Sequence, residues 1–581
     1  MGMERNIEPV EVEQVQQANI FKTNIFDRRL WRRFWQIARL YWFSDEKWRA
    51  RGGLGLLLLL LFSFTALNVI LNFVGRDFMT ALAEKNLPAF NKTLLIYLGI
   101  FIIATPVSAL YNFVRKLLGI NWRLWLTGHF LGQYFQYRAY YRINDDKSID
   151  NPDQRISQDM SSFTVTSLGF LSLLFFSLVQ LISFIGILWS ISVTLVLVLA
   201  AYAVIGTVVT MFFGKKLINL NFQQLKKEAN FRYGLVHVRD NAGSIAFYRG
   251  EEREKWQVRQ RLLDAIGNLR FLIGWERNLE FFTKGYEYII LILPVVVMAP
   301  MYFAGEIKFG VVTQAESAFV QVLSALSIIV TQFEQLSNFV AGVTRLETFS
   351  AALGPAATAQ TAEQPNIESV EEARLALDHV TLMTPDYRQT LVRDLTAEAP
   401  AGKGLLITGP SGVGKSSLLR AVAGLWRAGV GKITRPPLTE MLFLPQRPYM
   451  VIGSLREQLL YPQVDREIGD AELSAVLKKV NLEDLPERVG GLDAELDWGH
   501  LLSLGEQQRL AFARLLLTRP GYAILDEATS ALDADNEALL YRELQSGGTT
   551  YISVGHRPSL PAYHDQVLEL QGGGNWRLKA A

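Results

Sequence analysis

Apolar positions crowd the first 345 residues of the chain and thin out after them. Residues 52–75 (GGLGLLLLLLFSFTALNVILNFVG) and 93–114 carry no charged side chain. Each is long enough to cross a hydrocarbon layer as a helix, which needs about 20 residues. From Met160 to Gly214 no Asp, Glu, Lys or Arg occurs. That stretch is too long for one span and fits two, with a tight turn near Ser190–Ser192. Two weaker apolar stretches follow, near 285–305 and 312–340, with Glu287, Glu316 and Glu334 at or inside their ends. The pattern predicts six membrane helices. Ahead of them, residues 30–48 (LWRRFWQIARLYWFSDEKW) mix Trp, Phe and Tyr with Arg, as a helix lying in the membrane interface does. The two polar loops at 115–160 and 215–280 read as helical. An Ala/Thr/Gln/Pro-rich linker (351–366) closes this half, and short β-rich runs (LLITG, MLFLP, YAILD, YISVG) then alternate with helical ones.

Charge sets the orientation. Lys and Arg cluster before the first span (Arg28 to Arg51), after the second (Arg115, Lys116, Arg123, Arg138, Arg142) and after the fourth (Lys215, Lys216, Lys226, Lys227). Six spans with both ends inside put all three clusters in the cytoplasm. Glu316 and Glu334 in the sixth span either line a solvated path or sit at headgroup level. The net charge of +2 gives no reason to expect a nucleic-acid partner. With no cysteine in the chain, disulfides, thiolate metal sites and thiol catalysis are excluded. The first residues lack the apolar run and cleavage site of a secretory signal, so the first membrane helix is expected to direct insertion.

The second half carries the chemistry. Gly409-Pro410-Ser411-Gly412-Val413-Gly414-Lys415-Ser416-Ser417 follows a predicted strand and opens a predicted helix, the phosphate-loop arrangement. Glycines let successive N–H groups face phosphate oxygens, and the helix N-terminus adds its positive end. Lys415 then reaches the β and γ phosphates of ATP, and the Ser416 hydroxyl binds Mg²⁺. Tyr522-Ala-Ile-Leu-Asp526-Glu527 is an apolar strand ending in two acids. Asp526 is placed to hold Mg²⁺, and Glu527 to orient and deprotonate the attacking water.

Between these segments stands Leu502-Ser503-Leu504-Gly505-Glu506-Gln507-Gln508-Arg509, leading a predicted helix. Residues 404–560 resemble the ATPase of ABC transporters throughout. The resemblance implies that Gln446 (FLPQRPYM) is the Q-loop glutamine, near Mg²⁺ and sensing the membrane domain. It makes Ser530-Ala-Leu-Asp533 the D-loop and His556 (SVGHRPSL) the switch histidine at the γ-phosphate. Ser503, Gly505 and Glu506 occupy signature positions that cap ATP from the opposite subunit. The usual signature is LSGGQ; Leu504 and Glu506 depart from it, which puts the rate of hydrolysis in question but not nucleotide binding. Tyr387 (TPDYRQ) is the candidate adenine-stacking residue.

The segments SIDNPDQRISQD (148–159), EANFRYGLVHVRDNAGSIAFYRGEERE (228–254), FLPQRPYMVIGSLREQLLYP (443–462) and GGGNWRL (572–578) resemble the ABCD transporters and the bacterial SbmA/BacA-type proteins, above all the ATPase-fused BacA-like ones. The expected fold is a multidomain membrane protein. A tail and interfacial elbow (1–50) lead into a six-helix all-α exporter-type transmembrane domain (51–345). A linker (346–370) then joins an α/β phosphate-loop ATPase (371–581). Asn151, Pro152, Asp153 and Gln154 read as a capped helix start and a coupling element: a capping Asn, Pro in the first turn, then residues that favour the N-terminal dipole. The resemblance implies a homodimer in the cell's inner membrane with ATP and Mg²⁺ as cofactors. Its implied work is uptake of hydrophilic solutes such as cobalamin or peptides. A lipid or fatty-acyl exporter and an ATP-gated channel or sensor with little turnover stay open.

Overall fold

The computed structural model describes residues 28–145, 149, 151–354 and 365–581. They belong to two compact units that divide between Ala357 and Thr358. The N-terminal tail, much of the linker and the side chain of Glu334 lie outside the described residues.

The first unit is all helix. Helix α1 (Arg28–Trp42) buries Leu30, Ile37, Ala38 and Tyr41, spaced along one face, while Trp31 and Trp35 stay exposed. The helix is therefore amphipathic, as the mixture of aromatic and basic residues predicts. Among the described residues, six helices are long and apolar enough to cross a membrane. They are α2 (Lys47–Ala83), α3 (Leu87–Phe135), α6 (Met160–Ile191), α7 (Val193–Asp240), α9 (Glu251–Phe303) and α10 (Phe309–Thr331). Three short helices, α4 (Ala139–Asp145), α5 (Pro152–Gln154) and α8 (Ala242–Tyr248), lie between them, and α11 (Phe333–Leu353) ends the unit. The uncharged stretch does divide in two: Ser192 is extended (φ −161°, ψ 124°) and separates α6 from α7. With 48 and 53 residues, α7 and α9 far exceed one bilayer crossing, so the predicted polar loops are helical extensions of the spans.

Two expectations change. The sixth span does not run unbroken to residue 340: Gln332 (φ −102°, ψ 9°) leaves the helical region and ends the ladder, and α11 begins anew. Asn151 does not cap α5 with its side chain. It is left-handed (φ 41°, ψ 63°), a conformation that Asn tolerates better than most residues, and from there its amide is not aimed at the first-turn N–H groups. Glu287, at the start of the fifth apolar stretch, is exposed and paired with Lys284 at 2.9 Å.

Behind α5 the chain makes one π-helical turn, Arg155–Asp159, before α6 begins. This turn is tied to α11. Asp159, buried, accepts two hydrogen bonds from the Arg345 guanidinium at 2.9 and 2.8 Å. The Arg155 guanidinium donates to the Arg345 carbonyl at 2.9 Å and to the Thr348 hydroxyl at 3.0 Å. Apolar packing around Trp122, Phe163, Val343 and Phe349 surrounds this clamp.

The second unit contains two sheets. One has the order β1 (Glu368–Glu371), β5 (Gly429–Arg435), β2 (Leu375–Met383), β3 (Thr390–Ala399). The other is ordered β10 (Asn575–Ala580), β9 (Gln566–Gly572), β4 (Gly404–Thr408), β8 (Thr550–Val554), β7 (Tyr522–Asp526), β6 (Met441–Leu444). In the latter all pairs are parallel except β10 with β9. The inner strands are buried along nearly their whole length, as strands covered on both faces must be, which explains why they read as continuous apolar runs. Helices α12 (Lys415–Val422), α13 (Leu504–Thr518) and α14 (Ala534–Ser546) carry the motifs that matter below.

Candidate functional site

Parallel register builds the site. Leu444 on β6 pairs with Leu525 on β7, and Leu525 with Ser553 on β8. The three strands therefore end together. Gln446, Asp526 with Glu527, and His556 lie one to three residues beyond those paired positions, so one sheet edge gathers them. The Glu527 carboxylate accepts from the Gln446 amide at 2.9 Å and lies 3.6 Å from His556 Nε2. Glu527 is itself left-handed (φ 50°), with its N–H bonded to the Val554 carbonyl at 3.0 Å. That turn swings the carboxylate out of the strand line toward the two neighbouring loops.

The phosphate loop leaves β4 beside this edge. Gly409 (φ 140°) tolerates no side chain: a Cβ there would lie 2.2 Å from the Leu570 carbonyl oxygen. Gly414 (φ 103°) precedes α12, and Leu391 at the start of β3 packs against it. Lys415 is buried, and its ammonium donates to the carbonyls of Gly409 at 2.9 Å and Pro410 at 2.7 Å. Burial pushes the Lys415 ammonium below its ordinary value, against the opposing pull of Glu527 and Asp526. Ser411 and Gly412 are exposed at the tip of the loop, Val413 is half-buried, and Ser417 follows in the first turn of α12.

The Ser416 hydroxyl donates to Asp526 at 3.0 Å. Burial raises the Asp526 carboxyl, the Ser416 bond lowers it, and the neighbouring Glu527 adds to the rise. A half-buried carboxylate touching a hydroxyl is an all-oxygen donor set, suited to a hard cation that keeps waters and takes phosphate oxygens. These residues fit Mg²⁺. Gln446, held to Glu527, can supply a third oxygen.

The signature segment explains its own departures. Ser503 caps α13, and Glu506 bonds back to the Ser503 N–H at 2.8 Å, forming a complete capping box. A Glu serves here as well as the usual Gln. Burial alone would raise the Glu506 carboxyl; the Arg488 guanidinium at 2.5 Å and the Ser503 N–H and O–H outweigh it and hold it below the usual range. Leu504 is 40 % exposed, so the first-glycine position has room for a side chain. Gly505 has none: a Cβ there would lie 3.0 Å from the Ala531 carbonyl.

Asp533 caps α14, accepting from the Asn536 N–H at 2.8 Å. Tyr387 lies in the β2–β3 turn, half-buried, and its hydroxyl donates to the Pro365 carbonyl at 3.1 Å.

Three organising residues escape a reading of motifs. Gln508 is fully buried on α13. Its amide donates to the Gln446 carbonyl at 2.9 Å and to the Ser530 hydroxyl at 3.2 Å, and accepts from the Ala531 N–H at 3.0 Å. It joins the signature helix, Q-loop and D-loop. Arg557, beside His556, donates to the Ser530 carbonyl at 2.9 Å and to the buried Glu537 at 3.3 Å. Arg488 neutralises Glu506. No sequence spacing announces these partners, which lie between 18 and 62 residues away.

Comparison with known proteins agrees with this geometry. Residues 37–303 match the family described as ABC transporter transmembrane region 2, and residues 392–530 match the ABC transporter family. An ABC transporter ATP-binding protein of Synechocystis sp. is 50% identical over 92% of this chain and 82% of its own length. ABC transporter D family member 2, chloroplastic, of Arabidopsis thaliana is 43% identical over 95% and 88%. The lysosomal cobalamin transporter ABCD4 of Mus musculus is 34% identical over 95% and 96%. A solved bacterial Atm1-family ABC exporter with ATP bound shares the fold with a TM-score of 0.67 at 19% identity, covering 90% of this chain and 94% of that one. With its six membrane helices and its phosphate loop, strand-end acids and signature in ABC order, the chain belongs to the D-type ABC half-transporters, multi-pass membrane proteins that couple ATP hydrolysis to transport.

Proposed function

We propose that two copies of this chain form an inner-membrane importer of hydrophilic solutes, with cobalamin and short peptides as its candidate cargo. One observation supports a polar cargo over a greasy one. The bundle interior holds uncharged polar side chains that an apolar path has no use for: Asn72, Ser172, Gln180 and Gln314 are all buried. Asn72 Oδ1, Ser172 Oγ and Gln314 Nε2 have no partner, and the Gln180 amide meets Gln321. Such groups are costly in a membrane and mark solute paths. The likeness to SbmA/BacA-type proteins belongs to the same reading, as does the cargo named for ABCD4.

The chemistry follows from the site. Phosphate oxygens of ATP take the loop N–H groups and the Lys415 ammonium. Ser416 and Asp526 would hold Mg²⁺, which would supply neutralising charge to the phosphate oxygens. Glu527 accepts a proton from water as the water oxygen bonds to the γ-phosphorus and the bond to the β–γ bridging oxygen breaks, leaving ADP and phosphate. His556 holds Glu527 and the γ-phosphate in line, and Gln446 keeps the carboxylate oriented. In the homodimer each ATP lies between one copy's Lys415 and the partner's signature serine, and a two-fold axis gives two equal sites. Tyr387 is proposed to stack on adenine. Residues 151–154 are proposed as the coupling element; the Asp159–Arg345 clamp supports this, because it ties the turn behind them to the last helix before the ATPase.

Uptake into proteoliposomes tests the reading. Radiolabelled cobalamin or a cationic peptide should accumulate only with ATP, and Gln314→Leu with Gln180→Leu should abolish uptake while ATPase activity persists. Transport of acyl-CoA or lipid instead would establish the exporter reading. ATP binding with no turnover would establish the channel or sensor.

A further inference from the structure

A cavity of about 480 Å³ opens between the end of α1, the start of α2 and the lower half of α3. That volume is typical of sites for small amphiphilic molecules. Its position in the membrane can be read from the chain. The uncharged stretch of α2 begins at Gly52, and Gly53 faces Leu118 of α3, where a Cβ would lie 3.2 Å from the Leu118 side chain. This level is the boundary between hydrocarbon and headgroups on the cytoplasmic side.

The lining changes character across that boundary. Above it the wall is Gly53, Leu56, Val114 and Leu117. Leu56 and Leu117 are 46 % and 45 % exposed, so this end opens sideways to lipid. Below it stand Glu46, Arg49 and Asn121 beside the exposed Leu124, with the Tyr41 and Trp125 rings as the floor. Glu46 and Arg49 are three residues apart around the first turn of α2 and so share a face. Two nearby cations are engaged: Arg51 donates to the Trp42 carbonyl and covers the Phe43 ring, and Arg33 pairs with Glu347. Among the described residues, neither the Glu46 carboxylate nor the Arg49 guanidinium is held in an ion pair or a side-chain hydrogen bond, and the Glu46 charge lies near the Tyr41 hydroxyl. One opposite charge of each sign thus borders the polar end of a cleft whose other end is apolar.

From this we propose that the cavity is a binding site for one zwitterionic glycerophospholipid of the cytoplasmic leaflet, with a primary-ammonium headgroup. Arg49 takes the phosphate in a charge-assisted pair. Glu46 accepts from the ammonium, and its charge disfavours a purely anionic lipid. A quaternary ammonium headgroup has no N–H to donate and binds less well. The first acyl carbons lie against Leu56, Val114 and Leu117. The lipid is a fixed wedge between elbow and first span, separate from any transported cargo.

The test is native mass spectrometry of the full-length protein in detergent, offered equal amounts of palmitoyl-oleoyl phosphatidylethanolamine, phosphatidylcholine and phosphatidylglycerol. The ethanolamine lipid should be retained over each of the others by roughly tenfold, the range of one charge-assisted hydrogen bond. Glu46→Gln should abolish that preference and let phosphatidylglycerol compete. Arg49→Gln should lower retention of all phospholipids. Leu56→Trp, which fills the cleft from its exposed wall, should remove the bound lipid, and so should Gly53→Leu if it folds against Leu118. Equal retention of the three lipids overturns the proposal, and so does a preference for phosphatidylglycerol in the unaltered protein. Retention untouched by Leu56→Trp and Arg49→Gln overturns it too.

Discussion

Glu527→Gln isolates the proton acceptor from everything else the residue does. Glu527 is left-handed (φ 50°) and accepts a hydrogen bond from Gln446 at 2.9 Å. A glutamine bears the same backbone cost and keeps a carbonyl oxygen for that bond, so thermal unfolding without nucleotide should be unchanged. It loses the capacity to take a proton, and general-base contributions run to ~10²–10⁴-fold, or about 3–5 kcal/mol on the barrier. ATP then persists in the site. Ligand binding stabilises by about 2.7 kcal/mol at a hundred times its dissociation constant, so ATP should raise the melting temperature of the variant and hold it as a dimer. Phosphate release and the mass of the ATP-bound species are the assays. Lys415→Ala is the contrast, since it should lose the ATP-dependent shift itself. Hydrolysis by Glu527→Gln within tenfold of the unaltered protein would falsify the assignment of the base and move attention to His556, 3.6 Å from the same carboxylate.

Four further outcomes are expected. Lys415→Ala and Ser503→Arg, each inactive alone, should recover partial ATPase activity when co-expressed, because both lesions fall in one composite site; the same activity from a particle of monomer mass would rule out the dimer. Arg345→Ala leaves the buried Asp159 carboxylate without its two hydrogen bonds. Breaking a buried pair costs about 3–5 kcal/mol, and the partly exposed guanidinium brings this to roughly 1–3. Transport should fall further than ATPase activity, and equal losses of both would reduce the clamp to a scaffold. At the left-handed Asn151, Asn151→Gly should be neutral and Asn151→Val damaging to transport, whereas a capping role would make both equally harmful. Burial holds His564 neutral, with its pKa pushed from 6.5 down to about 4. The unfolded chain therefore binds the extra proton between those values, and stability falls as pH drops from 6.5 toward 4, by roughly 3 kcal/mol over the whole window. His564→Phe should flatten that slope in thermal melts, and an unchanged slope would place the titration elsewhere.

The strands β4, β6, β7 and β8 and the membrane helices were legible because each rests on a local signal. Uncharged runs longer than a bilayer crossing can only be spans, and Ser190–Ser192 marked the one place where the longest run could turn. Short runs rich in apolar side chains announced β4, β7 and β8, since strands covered on both faces have no solvent-facing polar side. The motif residues were legible one by one for the same reason: a phosphate loop is made by neighbours in sequence.

The chain by itself thus determined the membrane topology, the division of labour between its halves, and the identities of Lys415, Ser416, Asp526 and Glu527. Only tertiary structure decided how they act together. Strand register set Gln446 and His556 on either side of Glu527, because hydrogen bonding between parallel strands aligns residues far apart in the chain. Close approach of Ala531 required glycine at 505 and left 504 free, a distinction the four letters of the signature do not contain. Asp159, Arg345 and Gln508 were silent in the sequence, since a polar residue in a helical stretch looks alike whether it faces water or a buried partner. Asn151 was misleading for a related reason: Asn caps helices and also tolerates the left-handed region, and which of the two it does depends on the path of the chain through three dimensions.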